Sequence, residues 1–433
     1  MRSHAEERIR SWPADSTQAK ARHFRSTQRR PAAYAERGPC RFWAVSRPAA
    51  SRCEAGKLAV PGSKLVKGRL RSLPFRERAT LTKASCAGSI LPLLATAILS
   101  VAASPPRDTV QSYDTYGSWF VACDNTLTCI TKGFPDRYQG SEIRIERDAG
   151  PRGSLSASIS ATHKFALTDI RIDGQPAGLA GPAWEITTSD DETTATTDNL
   201  EVIRALVLKL RSASKVTLAE GDEVPLDGFA AAILRLDDRQ HRGGGVTALL
   251  RTGEKPASQV PAPPALPRIP NRPVLASFAT GEEQRLIRAV RANQKALFEK
   301  EGCGETPEMP EAHALDDSQA LVLIPCIMGA YQGSSLAFIA PRRGGAARRL
   351  IAPTPYLSNG SDRSDAAYFT EGAFDAKTGT LSMAAKGRGL ADCGVSASWI
   401  WDGRSFLLSE MTLQQSCGGI EPGDWPILFR SVR

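Results

Sequence analysis

Residues 116–130 read YGSWFVACDNTLTCI. Cys123 and Cys129 bracket a short polar segment that contains Asp124 and Asn125. Three chemistries fit that pattern: a metal loop, a redox pair or a covalent staple, and each implies a different fold. A metal site wants more ligands at set spacing, yet no CxxC occurs in the chain, and His163, His241 and His313 stand far from every cysteine. A redox pair is usually CxxC at a helix N-terminus, whereas WFVAC is a β-rich apolar run. A staple needs an oxidising compartment, so the choice passes to the rest of the chain.

The chain has 433 residues and a formal charge of +9. A basic chain suggests nucleic acid or anionic lipid as partner, but the charge is uneven. Residues 1–103 carry 20 Lys/Arg and 6 Asp/Glu, leaving 35 basic and 40 acidic side chains in the remainder. The basic character therefore belongs to the first quarter, and a nucleic-acid partner is set aside.

That first quarter reads as an export signal. KLVKGRLRSLPFRERATLTK (64–83) is cationic, SCAGSILPLLATAILSVAA follows as an apolar run, and SPPRD ends it. Val101 and Ala103 are small residues at the −3 and −1 positions of a cleavage site after Ala103. The competing reading is a retained anchor, but about 18 apolar residues rich in Ala, Ser and Gly fall short of the ~20 a span needs. Cys86 stands at the very start of the apolar run, with Lys83 where a lipoprotein signal needs an aliphatic residue, and is no lipoprotein cysteine. Residues 1–63, rich in Arg, Ser, Ala and Pro, read as a start assigned too early, with Val66 or Leu70 as non-AUG alternatives, or else as a disordered extension.

Six cysteines follow the signal: Cys123, Cys129, Cys303, Cys326, Cys393 and Cys417. An even count in an exported chain reads as a disulfide framework. Many pairings are formally allowed, but the cysteines arrive as three separated couples, which favours 123–129, 303–326 and 393–417. Each such loop contributes about 2–4 kcal/mol on the chain-entropy account.

The stretch 254–273, EKPASQVPAPPALPRIPNRP, holds seven prolines and no apolar period. It reads as a semi-rigid spacer between an N-terminal β-rich domain, 104–253, and a C-terminal α+β domain, 274–433. In the first, WFVAC, EIRIER and SLSASIS are strand-like. Asp198 and Glu201 offer a capping box for a helix whose apolar face is Leu200, Ile203, Leu206, Val207 and Leu210. Lys215 to Leu218 then reads as a strand, Gly221 as a turn, and GFAAAILRL as a second helix begun by Asp227 or Gly228. In the second domain, Thr280 and Glu283 suggest a box opening one helix that buries Leu286, Ile287, Val290, Leu297 and Phe298 and stops at Gly302. Strands follow, with hairpin turns at DAKTG and WDGRS. The expected fold class is α+β: two disulfide-stapled domains, each a mainly antiparallel sheet with one or two packed helices.

Catalytic patterns are sparse. SASK (212–215) matches S-x-x-K and KTG (377–379) lies downstream, but that chemistry needs Ser212 at the start of a buried helix with Lys215 one turn on. The pattern here leads from a helix end into a strand, and KTG sits in a turn. The histidines have no local acid partner, and no G-x-S-x-G elbow exists. No catalytic, cofactor or metal residue is assigned. Trp399 and Trp401 alternate on one strand face, and Trp425 falls near the 393–417 couple. These aromatics suit either a core or a ligand-stacking platform.

The residues Trp119, Cys123, Asp124, Asn125 and Cys129, then Asp392, Cys393, Gly394, Trp399, Trp401, Asp402, Gly403, Phe406, Cys417, Trp425 and Pro426, resemble the proteobacterial exported family labelled domain of unknown function 1176. The resemblance spans 113–432 and implies an exported two-domain protein with no assigned activity. The first domain, through W-x-x-x-C and VPLDGFAAAI (224–233), also resembles the invasion-associated locus B family, which implies an envelope protein and no catalytic residues. The expectation is a periplasmic, non-catalytic binding protein whose partner is an envelope component or another protein, with no stable membrane span after cleavage. An envelope acyltransferase using Ser212 and Lys215, or an inhibitor or chaperone-like module, stands as the alternative.

Overall fold

The computed structural model describes residues 110–433, apart from 136–139, 180, 190–191, 219–221, 305, 307, 356–364 and 420–422. The upstream extension 1–63, the signal segment 64–103 and the turn at Gly221 lie outside the described residues. Among the described residues no helix is long and apolar enough to cross a membrane.

The first lobe holds β1 (Ser112–Tyr116), β2 (Trp119–Cys123), β3 (Cys129–Gly133), β4 (Ser141–Arg147), β5 (Leu155–Ala161), β6 (Arg171–Ile172), β7 (Gln175–Pro176), β8 (Glu185–Thr188) and β9 (Thr193–Thr197). Helix α1 (Leu200–Leu210), β10 (Lys215–Thr217), β11 (Glu223–Pro225) and α2 (Phe229–Arg239) complete it. Seven strands form one antiparallel sheet in the order β1-β2-β3-β4-β5-β9-β8, and β11-β10-β6-β7 form a smaller one. Alternation decides what each face covers. Trp119, Val121, Ile143, Ile145, Ala157 and Ile159 point to α1 and α2, where they meet Ile203, Leu206, Phe229 and Ile233. Phe120 and Ala122 point the other way, into a separate apolar cluster with Tyr113, Phe134 and Leu428.

The second lobe contains α3 (Glu282–Asn293), α4 (Lys295–Glu301), β12 (Glu311–Ala314), β13 (Gln319–Met328), β14 (Gly333–Pro341), β15 (Arg348–Arg349), β16 (Phe369–Thr370), β17 (Ala373–Asp375), β18 (Thr380–Lys386), β19 (Gly394–Trp401), β20 (Phe406–Gln414) and β21 (Ile427–Arg430). Strands β12 to β16 make one antiparallel sheet and β17 to β21 another. The first of these is a middle layer, which is why β13 reads as an unbroken apolar run. Leu321, Leu323, Ala337 and Ile339 face Trp399, Trp401 and Met411 of the outer sheet. Val322, Ile324, Leu336 and Phe338 face Leu286, Ile287 and Val290 of α3.

The mainly antiparallel α+β class agrees with the sequence reading, and all three expected disulfides, 123–129, 303–326 and 393–417, are present. Several local details differ. Helix α1 is capped by Asn199, whose side-chain oxygen accepts from the N–H groups of Glu201 (3.0 Å) and Val202 (3.2 Å). Asp198 lies one residue too early to do this. Helix α3 starts at Gly281, in the left-handed region at φ 76°, and no side chain caps it. Here Glu282, rather than Glu283, turns back to accept from Ala279 N–H at 3.0 Å. The single helix expected over this region is two, broken at Gln294, whose amide nitrogen reaches Ala347 O at 2.8 Å. His313 lies in strand β12.

The proline-rich stretch is irregular apart from one 3-10 turn at Ala257–Gln259. Its later residues are laid against the second lobe: Ile269 N–H donates to Val432 O (2.8 Å), Arg272 N–H to Thr378 O (3.0 Å) and Val274 N–H to Ala376 O (2.8 Å). All described residues fall within one compact unit.

Candidate functional site

The residues weighed for catalysis are dispersed. Ser212 is exposed in the turn after α1. Lys215 opens β10 and commits its ammonium to Glu223 Oε1 at 2.6 Å across the hairpin. A serine one helical turn before its lysine is therefore not formed. Lys377 sits in the β17–β18 turn, whose backbone is held by Asp375 (Lys377 N–H to Oδ1, 2.9 Å). His163, which has no acid partner nearby in sequence, meets a distant one in the fold: its Nε2 lies 2.5 Å from Asp222 Oδ2. Burial raises the Asp222 carboxyl, and the imidazole offsets part of that rise. Among the described residues no hydroxyl or thiol bonds to either member. His313 Nε2 is 3.3 Å from Glu311 Oε2, and its ring tilts against Phe374. Trp399 and Trp401 are fully buried between the two sheets of the second lobe. Trp425 is half-buried, covers Gly394 beside the 393–417 disulfide, and donates to Ala391 O at 3.1 Å.

What the chain does bring together is the opening stretch 116–130 and its last strands. Asp124 is buried, and its Oδ1 accepts from Thr126 N–H (2.7 Å) and Thr128 N–H (3.0 Å), the local turn bonding expected of such a residue. Its second oxygen meets Arg430 Nε at 2.5 Å. Asn125 does not bond locally. Its amide donates to Arg430 O (2.9 Å) and accepts from Arg430 N–H (2.9 Å), so one side chain stands in for a strand partner of β21. The Tyr113 hydroxyl accepts from Gln415 N–H at 3.0 Å, and burial pushes that phenol far above its ordinary value. Gly418 lies against the Phe134 ring, where a Cβ would overlap the ring.

Beside this apolar contact lies a buried charge cluster. Lys132 on β3 is only 2% exposed, yet its ammonium is 2.5 Å from Asp424 Oδ2 and 3.6 Å from Glu142 Oε2. Arg144 reaches the same Asp424 oxygen at 3.0 Å and Glu146 at 2.8 Å. Burial is the main influence on Glu142 and raises its carboxyl above the ordinary value, with Lys132 offsetting only part. Burial pushes Asp424 up as well, but Lys132 and Arg144 together outweigh it and hold the carboxyl low. Disulfides brace both sides: 123–129 closes the turn carrying Asp124 and Asn125, and 393–417 holds the segment leading to Gly418. Asp392 lies close to Cys393 and Cys417, but those sulfurs are joined to each other and offer no thiolate to a metal.

Residues some 300 positions apart thus converge on one seam. The model of a family described as protein of unknown function (DUF1176) matches residues 113–432, which takes in both sides of it. The chain belongs to this family. The uncharacterized protein YpfG of Escherichia coli (strain K12) is 29% identical over 328 residues, 72% of this chain and 91% of that protein. No solved structure matches the chain. In this DUF1176 chain the sequence signals at both ends were legible as cysteine couples and aromatic strands. Their meeting was not, because an Asx turn already explains Asp124 and Asn125.

Two expectations follow from the seam. Asn125→Ala strips the β21 backbone of both partners in a buried site, and should cost about 1–3 kcal/mol in chemical denaturation. Hydrogen exchange at the Arg430 amide should accelerate, and an unchanged Arg430 amide would show that the clasp carries no energy. The second concerns pH. Asp424 has a lowered carboxyl, so its stabilisation is full above the ordinary aspartate value of ~3.9 and is lost as pH falls through the folded value. Glu142 works in the opposite sense: its contribution is full below ~4.3 and is lost as pH rises through its raised folded value. Thermal midpoints from about pH 3 to 9 should therefore peak on the acid side of neutrality. Glu142→Gln should flatten the alkaline limb, and an unaltered limb would assign it to other groups.

Proposed function

We propose that the protein is exported to the periplasm and acts there by non-covalent binding to an envelope component or another protein, not by catalysis. The observation that supports this reading is the pairing of all six cysteines after residue 103 into three disulfides. Such frameworks form and persist in oxidising compartments, and the cationic-apolar segment 64–103 supplies the matching export pattern. The paired cysteines leave no thiolate nucleophile, and the Ser212/Lys215 geometry favours a hairpin over acyl transfer.

Osmotic shock followed by maleimide labelling tests the location. Release with the periplasmic fraction and labelling only after reduction are expected, while retention in the cytoplasm with free thiols would overturn the reading. A fluorescent penicillin tests the chemistry: no covalent band is expected. A band lost on Ser212→Ala would replace binding with acyl transfer.

A further inference from the structure

The first lobe carries a cleft of about 600 Å³, within the ~300–1,000 Å³ range of small-ligand sites. It lies beside the end of β1 and along α2, and its far wall is the polar RQHRGGG segment and the turn-rich run after it. Tyr116, Leu234, His241, Gly243, Arg251 and Lys255 form its working surface. A smaller cavity of about 150 Å³ shares His241 and Lys255.

The charges on this wall are unequal in availability. Asp237 turns one oxygen to the backbone N–H groups of Leu249 (2.8 Å) and Leu250 (3.2 Å), away from any ligand. Asp238 is held by Arg235 at 3.1 Å, and Arg235 also pairs with Asp114 at 2.9 Å. Asp238 thus has an internal cation although its side chain is 73% exposed, and the second oxygen of Asp237 is buried, 3.9 Å from Arg147. The Arg251 guanidinium and the His241 ring have no partner among the described residues, and Lys255 Nζ touches only Gly243 O at 3.2 Å. The Gly243 N–H and the Tyr116 hydroxyl also lack an acceptor among the described residues. The surplus is one of donors and positive charge.

The loop presenting these groups is anchored, not loose. Arg242 is 1% exposed and donates to Gln240 Oε1 (2.8 Å), Asp148 O (3.1 Å) and Gly150 O (2.7 Å). Gly244 N–H bonds Arg251 O at 2.8 Å, and Lys255 N–H bonds Gly244 O at 3.2 Å. The two backbone runs come so close that a Cβ on Gly253 would overlap the Gly244 carbonyl. His241 is held in the left-handed region at φ 56°, an uncommon conformation for a side-chain-bearing residue. The backbone carrying these donors is therefore already ordered before a ligand arrives, and only the side chains of Arg251 and Lys255 remain to be immobilised.

We infer that this cleft binds a small organic anion, its phosphate or carboxylate held by Arg251, Lys255 and His241, and its apolar body resting on Tyr116 and Leu234. Charge-assisted bonds to such an oxyanion are the strong ones available to these side chains. The inference rests on the reading of the protein as a binding protein and names the class of ligand.

Isothermal titration of the purified protein with phenyl phosphate, benzoate and inorganic phosphate, at matched ionic strength, tests it. Saturable binding of phenyl phosphate or benzoate is expected, tighter than for inorganic phosphate, and the better of the two identifies the oxyanion. Arg251→Gln with Lys255→Gln should weaken it by at least about tenfold, with the thermal midpoint unchanged because both side chains are exposed. No binding of any probe, or equal binding by the double variant, would overturn the inference. Osmotic-shock release should be the same for both proteins, so failure of the cleft leaves the export reading standing, and failure of export leaves the titration intact.

Discussion

Lys132→Ala is expected to lower stability by about 3–5 kcal/mol, the cost of removing one member of a buried ion cluster. That is a third or more of the total for many domains. Lys132 is 2% exposed, and its ammonium faces Asp424 and Glu142 together. Alanine would leave two carboxylates near each other with Arg144 alone to balance them. Asp424 keeps 37% of its side-chain surface in solvent, but Glu142 is only 8% exposed and would lose its ion-pair partner inside the fold. The loss belongs to the stranded charges and not to the lysine stem. Lys132→Met combined with Glu142→Leu should therefore recover most of the stability, since apolar replacement of a whole buried cluster is often neutral. Urea denaturation of the three proteins decides it. A double variant as unstable as the single one would place the cost in packing instead.

Trp399→Ala should cost about as much, 3–5 kcal/mol, for a different reason. The indole is fully buried, meets Phe369 edge-to-face with centroids 5.7 Å apart, and donates its N–H to Pro353 O at 2.7 Å. Alanine would open a large cavity between the sheets and leave that carbonyl unpaired. Trp399→Phe should restore roughly half of the loss, because it refills much of the volume but cannot supply the N–H. A Trp399→Ala protein with the wild-type denaturation midpoint would return the ring to the ligand-platform reading. Both variants should leave anion titration at the first-lobe cleft unchanged, since neither residue lies near it.

The sequence reading reached the elements whose cause is local. Alternation in EIRIER and SLSASIS, the apolar spacing of α1 and the DAKTG and WDGRS turns each act over a few residues. The cysteine couples were legible because their partners are close in sequence. Where a second local signal competed, the reading slipped: Asp198 looked like a cap, but Asn199 is the residue in position. The α3–α4 break at Gln294 left no mark because the apolar spacing continues through Leu297. The long-range pairings were silent. His163 and Asp222 stand far apart with no shared motif, and Arg251 and Lys255, the latter inside the proline-rich stretch, carry no pattern of their own until the fold sets them around one cleft.

The clasp between Asn125 and Arg430 spans 305 residues, and this gives the chain a temporal order. On a ribosome or in a translocation channel, β2 and β3 emerge long before β21 exists. Until then the outward side of the first sheet, with Phe120, Phe134 and Lys132, has nothing to close against. Closure of that face therefore waits on a segment some 300 residues further along, the kind of distant contact that slows folding. A nascent chain arrested before residue 427 should be held by chaperones or lost to proteases, and its release would mark arrival of the last strand.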